Sequence, residues 1–349
     1  MKLAIHVRQN SFSDRWIQYC KANQIDYKPV NAYDTDIMAQ LADCDGLMWH
    51  WHHGSYRDQL FARQLTLALE ASGKPVFPDS RTAWHFDDKV GQKYLFESLG
   101  IPTPNSYVFY DRESAQRWAA QATYPKVFKL RGGAGAQNVK LVKSAADANR
   151  LIQRAFGRGF PLIDRKSILE QAIWLYRHNR RLKDFLRVIK RIITLFLPSK
   201  NERLLPVQKG YIYFQDYVPN NAFDDRLVVI GDRCFCIRRY CRTDDFRASG
   251  SGIFAYEIEL FPLNSVRLVF DVAKKMGAQC AAYDILYTDD GSPLIAEVSY
   301  GFRMGSAYDD CHGVYDANLT WHDLAVNPQV FMIEDFVASL TNKNSVLQK

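Results

Sequence analysis

Two groups of residues in this chain could do chemistry. The first is the turn Gly132-Gly133-Ala134-Gly135, entered past Lys129 and Arg131 and flanked by β-like runs within Tyr124–Val142. Glycines let backbone amides approach an anion without side-chain obstruction, and the two cations add positive charge, so the turn has the make-up of a phosphate cover. It fits neither the dinucleotide fingerprint nor the phosphate loop that ends in Gly-Lys-Ser/Thr. A tight hairpin turn would use the same glycines for steric reasons alone. The second group is Asp284 and Glu297, on two strand-like runs joined by Asp289-Asp290-Gly291. Counted outward from a turn closed at Asp290-Gly291, the two carboxylates fall opposite one another in an antiparallel pair. Among apolar neighbours they repel unless a cation stands between them. Two facing acids suit Mg²⁺, which takes oxygen ligands and keeps phosphate oxygens in its shell. Hydrogen bonds or an arginine would hold the same pair equally well.

The elements that must position these groups alternate between strand and helix. Residues 1 to about 83 read as a small α/β unit with a strand at Lys2–Val7, an amphipathic helix through Trp16, Ile17 and Cys20, and apolar runs at Gly46–Trp51 and Pro75–Phe77. Asp87-Asp88 then precede a helix marked at its far end by Gly100 and Pro102. A strand (Ser106–Tyr110) and a helix (Arg112–Gln121) lead to the glycine turn. Beyond it come strands at Tyr211–Val218, Arg226–Ile230 and Cys234–Tyr240, the last two joined by Gly231-Asp232. A helix (Asn264–Met276), the pair Ala282–Thr288 and Pro293–Val298, and a closing helix near Ile333–Leu340 complete the pattern.

The 349 residues suffice for two or three domains, and 47% hydrophobic content with no long run of one residue type excludes a disordered or repetitive chain. The longest apolar run, Ile192 to Leu197, is far too short to span a bilayer. The opening MKLAIHVR turns charged before a signal peptide could form, so a cytoplasmic protein is expected. Seven scattered cysteines fit reduced thiols. The net charge of +7 is concentrated: residues 160–209 hold 12 Lys/Arg against 4 Asp/Glu, and the remainder of the chain is nearly neutral. General nucleic-acid binding is therefore not expected.

Six blocks in order give the chain a resemblance to the ATP-grasp ligases, the superfamily of D-alanine:D-alanine ligase, glutathione synthetase and the ribosomal-protein glutamate ligases. Asp88-Lys89 with Tyr94-Leu95 and Gly100-Ile-Pro-Thr-Pro104 is similar to the family's opening segment, and Pro125–Lys129 with the glycine turn to its phosphate flap. Gln215-Asp216-Tyr217-Val218 resembles the adenine hinge. Asp224-Asp225-Arg226 through Gly231-Asp232 to Arg238-Arg239, then Asp244-Asp245-Phe246-Arg247, resemble the central arginine blocks. Ala282-Tyr-Asp284 with Ala296-Glu297-Val298 matches the terminal metal strands. The resemblance implies an α/β (α+β) fold in which an N-terminal α/β unit (1–83) precedes two α+β subdomains clasping ATP. These are a lid with the flap (84–163) and a C-terminal subdomain with the metal site (211–349), separated by a basic helical insert (164–210).

The resemblance further implies ATP and Mg²⁺ as cofactors. Lys89 and Lys129 would be phosphate ligands, and the loop with Gly132, Gly133 and Gly135 a flap that keeps water from a reactive acyl phosphate. Gln215, Asp216, Tyr217 and Val218 would meet the adenine, partly through main-chain groups. Arg226, Arg239 and Arg247 would pair with the transferred phosphate and the substrate carboxylate. The metal set would be Asp284, Glu297 and Ser299; many members carry Asn at that last position, and serine offers one oxygen and a shorter reach. The implied partners are a small-molecule carboxylate and an amine, joined by an ATP-dependent carboxylate–amine ligase. Alternatives are a protein- or peptide-modifying amino-acid ligase, a nucleotide-binding regulator without ligase activity, and a biotin-type carboxylase. A looser similarity of Tyr300–His322 to ATP-grasp proteins of bacterial surface-polysaccharide pathways points to an acidic sugar as the carboxylate.

Other signals carry less. In Trp49-His-Trp-His-His, strand alternation would send His50 and His52 to one face and His53 to the other; at a sheet end such residues either touch substrate or pack. Cys311, His312 and His322 lack a fourth zinc ligand and read better as a substrate-side loop. Cys234 and Cys236 read as core. In the insert, apolar residues from Leu182 to Phe196 repeat at helical spacing opposite Lys183, Arg187, Lys190 and Arg191. Such a helix either packs on the body or docks on an anionic membrane or a lipid-linked anionic substrate through 165–203.

Overall fold

Three sheets carry the molecule, and the computed structural model describes residues 1–133, 137–242 and 245–347 of it. The N-terminal sheet is parallel, in the order Asp26–Val30, Lys2–His6, Gly46–Met48, Val76–Phe77. Its inner strands are short and apolar because helices such as Phe12–Ala22 and Tyr56–Ala71 make the crossovers and cover the sheet, the pattern expected of a parallel sheet. The strand Asp26–Val30 carries Lys28 and Pro29, which hid it from the sequence pattern; it is an edge strand, where proline is tolerated.

The second sheet is antiparallel, in the order Ser106–Phe109, Ile212–Asp216, Lys126–Lys129, Lys140–Val142. Its centre is filled by a strand that arrives after the insert. Ile212–Asp216, grouped by sequence order with the C-terminal part, therefore lies in the sheet that carries the glycine turn. Helices Arg112–Gln121 and Ala145–Ala155 cover one face through Ala115, Ala119, Ala148 and Ile152, with Trp118 stacked on Phe214 at 5.0 Å.

The third sheet has seven strands. Its path runs Pro293–Ser299, Cys280–Tyr287, Phe223–Ile230, Arg233–Tyr240, Gly313–Tyr315, Trp321–Asp323, with Phe254–Ala255 beside Arg233–Tyr240. Both faces of its middle are buried. Leu227 and Val229 meet Val266 and Val269 of the helix Leu263–Met276, while Val228 and Ile230 join Leu3, Ile5, Trp16 and Phe336. The closing helix Pro328–Leu347 thus welds the N-terminal sheet to the third sheet in one core.

Three local expectations change. The strand before the histidines ends at Met48, so alternation does not govern His50–His53; His52 stacks on His53 at 4.3 Å, and His50 stacks on Phe12 and bonds Ser11 Oγ. Cys311–His322 is not an open loop: Cys311 is buried, and Gly313–Tyr315 with Trp321–Asp323 forms a hairpin on the sheet edge. The hairpin turn after Tyr287 closes one residue off the expected count, pairing Tyr287 with Pro293 and Ile285 with Ile295. A bulge at Ala296 then restores the offset and brings Asp284 opposite Glu297.

Tyr300, directly after the Glu297 strand, is fully buried and donates its hydroxyl to the Trp51 carbonyl at 2.5 Å, between Trp51 and Phe86. It ties the third sheet to the N-terminal unit. Tyr300→Phe leaves that buried carbonyl without a donor and should cost about 1–3 kcal/mol. In urea unfolding this reads as a lower midpoint at unchanged slope.

Candidate active site

Lys129 is the last residue of its strand because the backbone turns there into the glycines, and Lys89 opens the helix Lys89–Leu99, whose N-terminus is capped by Asp88 accepting from the Gly91 amide. Both ammonium groups enter a cavity of about 220 Å³ between the second and third sheets. Lys129 Nζ donates to Gln215 Oε1 at 2.7 Å across the ladder. Lys89 Nζ donates to the Gly133 carbonyl and pairs with Glu297 Oε1, both at 3.0 Å. The two lysines, which come from different parts of the chain, thus meet the metal strands.

On the third sheet, Arg226 forks onto Asp284 at 2.7 and 2.8 Å and donates to the Tyr308 hydroxyl at 2.9 Å. Arg239 forks onto Asp224 at 2.6 and 2.7 Å and reaches Asp284 at 2.9 Å. These contacts follow from register, since Asp284 faces Arg226 and Arg239 faces Asp224 in adjacent ladders. Arg239 sits behind the carboxylates and is absent from the cavity wall, whereas Arg226, Asp284, Glu297 and Ser299 line it. Ser299 Oγ donates to the Gly301 carbonyl at 2.7 Å.

The charge balance is uneven. Burial alone would raise Asp284, but Arg226 and Arg239 hold it well below the usual carboxylate range. Burial opposes charge on Lys89, and Glu297 and Asp87 outweigh it, so its pKa rises. Lys129, held by a neutral amide oxygen, is pulled down by burial to about 8. Burial pushes Asp87 up to about 6.

Of the nucleotide residues expected, Lys89, Lys129, Gly133, Gln215, Asp216, Tyr217 and Val218 line the cavity. Gly132 does not; a Cβ there would lie 3.0 Å from Asp87 Oδ2, so it serves close passage of the chain over Asp87. Gly133, at φ +110°, gives its amide to Asp87 Oδ1 at 2.7 Å. Gly135 lies outside the described residues, as does Asp244 of the Asp245-Phe246-Arg247 block. The Asp216 amide donates to the Asn105 carbonyl, and its carboxylate accepts from Lys126. Arg247 forks onto Asp245 at 2.8 and 2.9 Å and lines the cavity with Phe246.

Asp87, His53, Asn221 and Asp224 also line the cavity and were not assigned to it from the sequence. Asp87 adopts φ +53°, a conformation that Asp tolerates but that no neighbouring residue announces. His53 was misplaced by the strand assumption; burial and the Lys89 charge lower it to about 4, so it is neutral at pH 7. Asp224 was visible within its block.

No protein-family model and no curated protein matches the chain. Solved structures do. A RimK domain ATP-grasp protein from Sphaerobacter thermophilus is similar at 17% identity over 97% of this chain and 100% of its own, with a TM-score of 0.54. D-alanine–D-alanine ligase from Bacillus anthracis complexed with ATP is similar at 13% identity over 98% and 99%, TM-score 0.57. The biotin carboxylase domain of the 2-oxoglutarate carboxylase from Hydrogenobacter thermophilus, in complex with MgADP and bicarbonate, is similar at 14% identity over 96% and 69%, TM-score 0.58. With its cavity between an antiparallel sheet that carries the glycine turn and a larger sheet that carries facing carboxylates, the chain has the ATP-grasp fold.

Proposed function

We propose that this protein is an ATP-dependent carboxylate–amine ligase. The observation that carries the reading is the convergence of Lys89 and Lys129 with Asp284 and Glu297 in one cavity under the glycine turn. The donor set fits Mg²⁺: it is all oxygen, from two carboxylates with the Ser299 hydroxyl beside them, and Mg²⁺ is commonly held by one or two carboxylates plus substrate phosphates. Lys89 and Arg226 neutralise those carboxylates now and would be shared with phosphate oxygens when nucleotide binds. Bound Mg²⁺ supplies charge neutralisation for phosphoryl transfer.

In this reading Lys89 and Lys129 hold the triphosphate, and Gln215–Val218 holds the base. Arg226 and Arg247 face the cavity and orient the oxyanions of phosphate and substrate carboxylate, while Arg239 positions Asp224 and Asp284 from behind. The substrate carboxylate takes the γ-phosphate to give an acyl phosphate and ADP, and the amine nitrogen then displaces inorganic phosphate. The glycine turn excludes water while the acyl phosphate lives. We infer an acidic sugar as the carboxylate, supported by the resemblance of Tyr300–His322 and by the basic insert, which reaches the segment after the cavity-lining Ser249, where Gln171 donates to the Gly250 carbonyl, and lays Trp174 under Arg242. Purified protein should release ADP and phosphate from Mg-ATP only with a carboxylate and an amine present. Nucleotide binding without any such release across a broad screen would favour the regulator instead.

Two variants separate the roles. Lys129→Ala should weaken Mg-ATP binding by about 10- to 100-fold, the worth of a charge-assisted hydrogen bond, read by calorimetry. Glu297→Gln is preferable to alanine because it leaves the buried Lys89 an acceptor. It should lower ADP release by at least about 100-fold, with the folded state retained but its unfolding midpoint lowered by loss of the charge facing Lys89; wild-type turnover in this variant would refute the metal assignment.

The lowered pKa of Lys129 gives a pH signature. Above about 8 the free protein has lost this proton, and phosphate binding favours the ammonium. ATP affinity should therefore fall as pH rises from 7 to 9.5, with proton uptake on binding above pH 8 seen by calorimetry in buffers of different ionisation enthalpy. Lys129→Arg, permanently charged, should abolish the uptake.

A further inference from the structure

The helix Leu182–Phe196 turns its apolar stripe outward. Leu182 is 73% exposed and Phe196 74%, and Phe185, Ile189, Ile192 and Ile193 between them are all at least 40% exposed. The side that packs on the preceding helix, Arg165–Asn179, is centred elsewhere, on Asp184, Val188, Arg191 and Leu195, which are among the least exposed positions, and of the stripe Phe185 lies at its border, with its ring 5.4 Å from that of Tyr176. Asp184 is the only acid in the helix, and it is 2% exposed, pairing with Arg187 and accepting from Asn179. The exposed circumference therefore holds an apolar stripe about 22 Å long, with Lys183, Arg187 and Lys190 along one flank and no negative charge.

We propose that this stripe docks in the plane of an anionic lipid bilayer. A stripe of this length, bulky and apolar on one face and cationic on the next, is the make-up of a helix that lies in the headgroup boundary. No described helix is long and apolar enough to cross a membrane. Charge decides against a second copy of the chain as occupant. A self-complementary contact would bring two segments of net charge +8 together, whereas anionic headgroups complement them. The insert is also fastened at both ends close to the cavity. Near its far end Asn201 bonds the Gly54 carbonyl and Tyr56 amide, just beyond the cavity-lining His53, and at its start the Asp164 amide donates to Gln137 Oε1, beside Asn138, which donates to the Pro161 and Leu162 carbonyls. A docked hairpin would thus hold the cavity close to the membrane surface, where a lipid-carried substrate would reside.

Co-sedimentation of the full chain with phosphatidylcholine vesicles, with and without phosphatidylglycerol, at low and high salt, tests this without reference to nucleotide. Binding should require the anionic lipid and weaken with salt. Lys183→Gln with Lys190→Gln should lower it about 30-fold at low salt, about fivefold for each lysine near an anionic surface. Ile189→Glu with Ile193→Glu should lower it at least as much. All four positions are exposed, so the unfolding midpoint should stay unchanged and certify the fold. Equal partitioning of wild type and the glutamate variant would overturn the proposal. So would wild type that ignores anionic vesicles and instead forms a dimer abolished by the glutamates, which would assign the stripe to a second copy.

Discussion

An ionised side chain taken out of water requires an opposite charge at contact distance, and this molecule buries four of them on one face of three adjacent strands. Asp224 and Arg226 alternate onto one face of Phe223–Ile230, and Arg239 and Asp284 meet them from either side. Further along the same face, Val228 and Ile230 enter the core shared with the N-terminal sheet. One strand thus carries the charged wall of the cavity at one end and the weld between units at the other. A slip of one residue would turn Val228 and Ile230 away from that core and break the pairs of Asp224, Arg226 and the fully buried Asp225, onto which Arg238 forks on the other face, so the packing that stabilises the fold also fixes the register of the site.

The two lysines show how position sets chemistry. Lys89 meets a carboxylate and keeps its proton firmly; Lys129 meets a neutral amide oxygen, so burial outweighs the more distant pull of Glu297 and Asp284 and its proton loosens. Both accept an anion, but only Lys129 gains substantially in charge by doing so. Asp87, buried beside Glu297 and bonded to the Gly133 amide, links the glycine turn to the same balance.

The insert obeys the opposite rule. In its helix Leu182–Phe196 the lysines remain in water, the one acid is hidden, and the apolar stripe faces outward, which for a helix in a folded body is costly unless another phase receives it. The body needs burial to hold its charges in place, while the insert needs a surface to cover its apolar residues.

Much of this was legible in the sequence. Period-2 runs marked most strands of the third sheet, Asp88 and Gly100 marked both ends of a helix, and the ordered blocks from Asp88 to Glu297 pointed to the fold. Glycine, capping and alternation act over a few residues and leave their mark locally. Long-range contacts do not. Nothing local says that Ile212–Asp216 returns to the second sheet, that Asp87 turns into the cavity with positive φ, or that a bulge at Ala296 corrects a turn closed one residue off. The periodicity of Leu182–Phe196 showed an amphipathic helix, but which face its neighbour would cover was decided only by packing. Sequence pattern sets which side chains share a face, whereas the partner of each face depends on the whole chain finding the arrangement that buries apolar surface and pairs its charges at once.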